Sequence, residues 1–153
     1  MAEQPSQCPV DMTLDYLSSR WIVLILRELL QGTKRFGEIR KAVGGISQKM
    51  LTASLRLMEE HGVVTRTAYL EIPPRVEYAL TALGESLRPV VVAMFDWGVR
   101  RKGDQGEEMT EELSALREVL RRKRRVKSPG GEKSVPARRK QAAQKKKGNH
   151  PEG

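Results

Sequence analysis

Apolar positions change their spacing several times along the chain, and each change predicts an element. Met12, Leu14, Tyr16 and Leu17 suggest a short first helix from about Asp11. Ser18-Ser19 interrupts it and supplies a cap for a second helix over residues 20–30, because a seryl oxygen accepts from the free N–H groups of a first turn. That helix carries Trp21, Ile22, Leu24, Ile25, Leu26, Leu29 and Leu30. Apolar residues on most of its faces place it at the centre of a core. Gly32 follows as a C-cap. Thr33 can cap a third helix over residues 35–43, with Phe36 and Ile39 inward and Arg35, Glu38, Arg40 and Lys41 outward. Gly44-Gly45 makes a turn, Ile46 is a single apolar anchor, and Ser47 caps a fourth helix that stops at Gly62.

The spacing then becomes that of strands. Residues 63–70 (VVTRTAYL) are β-branched and aromatic with partial alternation, and residues 75–80 (RVEYAL) are their partner. Ile72-Pro73-Pro74 lies between them; proline cannot donate to a ladder, so this segment is the exposed loop. Thr81 caps a last domain helix to about Arg101, which Pro89 should kink. Residues 103–106 (GDQG) read as a linker. Met109, Leu113, Leu116 and Leu120 repeat at the spacing of an amphipathic helix. From Val126 onward almost nothing apolar remains, which predicts disorder. The expected class is mainly α with a small β-hairpin. It comprises an arm at residues 1–9, a winged helix-turn-helix at 10–102, an amphipathic and basic helix at 107–125 and a disordered basic tail at 126–153.

Charge changes this picture only locally. The chain of 153 residues carries a net charge of +9. Residues 1–103 hold 14 basic against 11 acidic side chains, residues 104–120 hold 1 against 6, and residues 121–153 hold 13 against 2. The tail therefore sets the net charge, and a claim for nucleic-acid binding must rest on where cations sit. A single cysteine, Cys8, excludes an intrachain disulfide. The N-terminus lacks the basic and apolar regions of a signal peptide, and the apolar block at residues 22–26 is too short to span a bilayer. The expectation is a cytoplasmic, nucleoid-associated protein.

The fourth helix carries the candidate chemistry. At about 100° per residue, Leu51, Leu55 and Met58 share one arc, and Lys49, Thr52, Ala53 and Arg56 share the opposite one. A major groove admits a helix and is read by such donors; a solvated surface face would look the same. Gln48 and Lys49 occupy the first turn, where backbone N–H groups favour phosphate. The ribbon tilts the balance. A rigid Pro-Pro tip followed by Arg75 suits a narrow minor groove, although Arg75 could also keep an edge strand soluble. Lys34, Arg35 and Arg40 add cations beside the reading helix.

The segments CPVDMTLDYLSSRWIVLILREL, RFGEIRKAV, ISQKMLTASLRLMEEHGVV and PPRVEYALTALGESL, followed by Trp97-Gly98, stand in that order. Together they resemble HxlR-type winged helix-turn-helix transcriptional regulators over about residues 8–98. The resemblance implies a homodimeric bacterial regulator of double-stranded DNA, related in architecture to MarR-type proteins. It implies dimerisation through the N-terminal and last domain helices, so that two reading helices meet an inverted repeat. By it, Ser47, Gln48, Lys49, Thr52 and Arg56 belong to the recognition helix and Arg75 to the wing. Ala53 departs from the longer polar residue often found there. The chain beyond Gly103 has no counterpart in the family core. Val91, Met94, Phe95 and Trp97 are candidates for packing on the partner.

Cys8 falls where some family members sense electrophiles or oxidants. That role needs exposure and a lowered pKa; a small buried anchor for the arm is the alternative. The basic clusters near residues 121–125, 138–140 and 145–147 would add salt-sensitive affinity for any DNA. An architectural DNA-binding protein dominated by this tail is the rival reading. Enzyme chemistry finds no support: His61 and His150 lie far apart, and the chain has no zinc spacing, phosphate loop or nucleophile elbow. No cofactor or metal is expected, and the residues name no effector.

Overall fold

A computed structural model of the chain describes residues 8–122. Helices α1 (Pro9–Tyr16) and α2 (Arg20–Leu29) are followed by strand β1 (Lys34–Arg35), helix α3 (Phe36–Val43) and helix α4 (Gln48–Glu60). Then come strands β2 (Val64–Tyr69) and β3 (Arg75–Leu80), and helices α5 (Ala82–Ser86), α6 (Arg88–Asp104) and α7 (Glu111–Arg121). The basic tail, most of the N-terminal arm and the last residues of the helix expected to reach 125 lie outside the described residues.

Local chemistry sets most of the helix starts. Ser19 Oγ accepts from the Ile22 N–H, Ser47 Oγ from Met50 and Thr81 Oγ1 from Gly84. Each satisfies a first-turn donor that has no partner within the helix. Gly44 and Gly45 both take φ near +65°, a region that costs a side chain and that glycine enters freely. Their turn sets α4 against α3 at a fixed angle. Helix α2 is central: Ile22, Ile25, Leu26 and Leu29 are buried, and Leu51, Leu55 and Met58 of α4 and Ile39 of α3 close on them. Val63, Val64, Tyr78 and Leu80 bring the sheet into the same core.

The sheet has three antiparallel strands in the order β1-β3-β2, where the spacing predicted a two-stranded ribbon. Lys34 pairs with Tyr78 and Arg35 with Glu77. This pairing holds both residues extended, so α3 begins at Phe36 and not at Arg35 with a Thr33 cap. Arg35 is itself the N-cap residue, and its N–H donates to the Glu38 carboxylate at 2.7 Å. A two-residue strand carries no periodicity, which is why the spacing did not show it.

The last domain helix is two helices. The chain turns at Leu87, and Pro89 lies in the first turn of α6, where its missing N–H costs nothing. The expected kink is thus a helix start. Helix α6 runs through Gly103 to Asp104, taking up half of the predicted linker. Helix α7 packs on α6: Arg117 Nε and Arg121 Nη2 each reach Asp96 at 2.7 Å, and Leu120 is 0 % exposed. The hydrogen bond from Arg121, aided by Arg117, holds the Asp96 carboxyl below its ordinary pKa.

Arg88 joins these parts. It is only 5 % exposed. Its guanidinium donates to Leu30 O at 3.0 Å, to Leu120 O at 2.9 Å and to both Glu85 oxygens. Leu30 and Leu120 lie at the C-terminal ends of α2 and α7, where carbonyls lack intrahelical donors and the helix dipole favours a cation. One arginine therefore terminates two helices and ties α7 to the central one.

Candidate nucleic-acid interface

Helix α4 shows one buried and one open side. Leu51, Ser54, Leu55 and Met58 are buried, whereas Gln48, Lys49, Ala53 and Arg56 are exposed. Among the described residues, Lys49 and Arg56 have no salt-bridge partner within 4 Å. Ser47 acts as the N-cap and Thr52 Oγ1 donates to Gln48 O at 2.8 Å. Their hydroxyls thus serve the helix, and Thr52 keeps acceptor capacity and its methyl group. Ahead of α4, a depression of about 710 Å3 is lined by Gly37, Arg40, Lys41 and residues 44–47. Its two cations flank the start of α4.

The flanking cations differ from one another. Arg35 is exposed at the junction of β1 and α3. Lys34 is bound inward, 3.5 Å from the buried carboxylate of Glu28, which also takes Arg27 at 2.7 Å. Lys34 therefore neutralises a core carboxylate, and sequence spacing could not separate it from its neighbour.

The wing also sorts its charges. Arg75, at the start of β3, reaches Glu71 at 3.0 Å and Glu77 at 3.5 Å, and its guanidinium lies 4.1 Å from the Tyr69 ring centroid. It braces the tip in the free protein and is not a bare cation. Beyond it Leu70 and Ile72 are fully exposed at the tip. Arg66 is the cation that sequence reasoning passed over. Val64 is buried, and side chains two apart share a strand face, so Arg66 points to the helix side one step out from the core. It lines a cleft of about 380 Å3 with Thr52, Arg56 and Glu59 of α4, over Phe36, Leu55 and Tyr78. The alternation Val64-Arg66 was the signal that could have found it.

At the two ends of the domain apolar side chains stand open. Val10, Met12 and Leu14 of α1 are exposed, as are Met94 and Trp97 of α6, the latter at 61 %. Val91 differs from the expectation that grouped it with them: it is buried in its own core, and Phe95 packs partly against the same core. Cys8 is exposed at the N-cap of α1, where the alternative expected a buried anchor. Hydrogen bonding from the backbone of Asp11, then of Val10, lowers its thiol pKa.

The sequence profile of the HxlR-like helix-turn-helix family matches residues 16–106. The chain belongs to this family. It is a helix-turn-helix transcriptional regulator of the HxlR type and a DNA-binding protein. It is 46 % identical over 95 residues to the uncharacterized HTH-type transcriptional regulator YdeP of Bacillus subtilis, covering 62 % of this chain and 74 % of that one. It is 48 % identical over 91 residues to the uncharacterized HTH-type regulator YtfH of Escherichia coli, covering 60 % and 72 %. Among solved structures it is similar to the redox regulator HypR in its oxidized form, with a TM-score of 0.58 and 38 % identity over 67 % of this chain and all of that one. The HxlR match ends before α7, so the helix that Arg88 and Asp96 hold lies outside the family core. Among the described residues no helix is long and apolar enough to cross a membrane, and no three potential ligands gather for a metal.

Proposed function

We propose that the chain acts as a homodimer on an inverted repeat, with α4 in the major groove and the β2–β3 wing at the flanking minor groove. The observation that carries this reading is the open face of α4, where Gln48, Lys49 and Arg56 stand exposed, and neither cation is ion-paired, beside Ala53 and the Thr52 methyl. Donors of this kind read base edges or hold the phosphates beside them, whereas cations set for solubility alone need no groove-shaped helix behind them. Ser47 fixes where that helix starts, Arg35 neutralises an adjacent phosphate, and Arg75 stiffens the wing and turns to the minor groove when DNA competes with Glu71 and Glu77. The exposed apolar side chains of α1 and α6 cover one another across the two-fold axis, since patches of this kind mark partner sites. Two reading helices then meet half-sites about one turn apart.

The test is a footprint on the intergenic region upstream of the chain's own gene, in excess bulk DNA. A protected palindrome that disappears with Lys49→Ala supports the reading. Binding that bulk DNA abolishes for the wild type would instead favour the architectural role of the basic tail.

An exposed thiol with a lowered pKa at a helix N-cap also favours a response to oxidants or electrophiles through Cys8. No second cysteine exists in the chain. Oxidation would join the Cys8 thiols of two subunits or attach a small thiol, with the oxidant taking up both electrons. Normal binding by Cys8→Ser together with undiminished loss of binding under diamide would sink this part.

A further inference from the structure

The cleft between α4 and the wing is built unlike either wall alone. Thr52, Arg56 and Glu59 follow at i, i+4 and i+7 along α4, so they form one stripe facing β2. From the opposite wall Arg66 enters on the same strand face as buried Val64. Below them Phe36, Leu55 and Tyr78 make an apolar floor. Two arginines and one carboxylate share about 380 Å3, and yet no ion pair within 4 Å joins Arg56 or Arg66 to any described residue. An i,i+3 pair such as Arg56 and Glu59 would ordinarily close on a helix surface. Here both guanidinium groups stay open, facing one gap from two different elements.

We infer that this cleft is a clamp for one phosphodiester group of the DNA backbone, held by Arg56 from the helix side and Arg66 from the wing side. The inference rests on the reading in which α4 enters a major groove and the wing a neighbouring minor groove. The sugar–phosphate ridge that separates the two grooves must then pass between helix and wing, where this gap lies. Arginine is suited to the task because its planar fork donates two hydrogen bonds to phosphate oxygens. The assignment divides α4 by function. Gln48 and Lys49 in its first turn face bases, and Arg56, two turns on from Lys49, sets register on the backbone without carrying sequence information. Glu59 in the same cleft opposes the phosphate and holds affinity below what two arginines alone would provide.

The full chain is titrated by fluorescence anisotropy against a labelled random-sequence duplex and against the duplex it footprints, over a salt series. Arg66→Ala should weaken both duplexes by the same factor, about tenfold, and reduce the salt slope by about one. Arg66→Lys should retain most of the slope, because it keeps the charge. Glu59→Gln should tighten both duplexes. Arg66 is exposed, so an unchanged thermal midpoint serves as the folding control. An unaltered slope in Arg66→Ala over intact wild-type binding overturns the clamp and leaves the winged-helix reading standing. A loss confined to the footprinted duplex also overturns it, since that is the signature of base contact. No binding by the wild type overturns the underlying reading together with the clamp.

Discussion

Replacing Arg88 by alanine tests the junction between the family core and α7. Arg88 is 5 % exposed, and its guanidinium donates to Glu85 and to the carbonyls of Leu30 and Leu120. Alanine leaves Glu85 without its counter-ion at 2.7 Å and leaves the ends of α2 and α7 without a donor. Breaking a buried pair from one side costs about 3–5 kcal/mol. The Glu85 side chain is 16 % exposed, so water relieves part of this and about 3 kcal/mol is expected. A domain of this size loses roughly 4 °C per kcal/mol, which places the fall in thermal midpoint near 12 °C. The assay is thermal unfolding at two protein concentrations. The bonds described lie within one chain, so the fall should be the same at both. Hydrogen exchange adds a local readout: amides of α7 should lose protection before those of α4. A midpoint within about 3 °C of wild type would refute the account of Arg88 as the terminator of two helices.

Three further outcomes follow from other positions. A Cβ at Gly84 would collide with the Val63 carbonyl oxygen and come within 3.0 Å of the Leu80 side chain, so Gly84→Ala should destabilise by about 2 kcal/mol in denaturant titration despite improving helix propensity. Asp96 has its pKa lowered in the folded state by Arg121 and Arg117. Its contribution is therefore complete above the ordinary carboxylate pKa and lost as pH falls through the depressed one. In acid titrations Asp96→Asn should be less stable than wild type at neutral pH and converge on it in acid. Cys8, lowered by the Asp11 and Val10 backbone, should be alkylated by iodoacetamide with a rate midpoint below that of a free thiol, and filling α1's first turn with Asp11→Pro should raise it.

Among the elements, those whose cause is local were legible in advance. Ser19, Ser47 and Thr81 sit next to the first turns they cap. Leu51, Leu55 and Met58 recur at the spacing of one turn and are all buried in the core. Gly44-Gly45 marked its turn because few residues tolerate that backbone. The candidate interface divided along the same line. The face of α4 could be drawn from a helical wheel, and the wing's Pro-Pro tip from the missing donors. That Arg75 is engaged while Arg66 is open could not, since both are arginines near a strand and their difference lies in Glu71, Glu77 and Tyr69.

What the sequence determined alone was thus the set of interactions spanning about four residues: periodicity, caps, turns and the order of elements that marks the family. Tertiary structure decided which distant groups meet. Residues 34–35 became a strand because β3 offered open ladder groups 40 and more residues away. Leu120 entered the core because Arg88 and Asp96 hold its helix there. Arg56 and Arg66 came to face one gap because the sheet packs its Val64 side against α4. A residue's neighbours along the chain constrain its backbone, but the charge and contacts it meets across the fold depend on how all the apolar faces pack together.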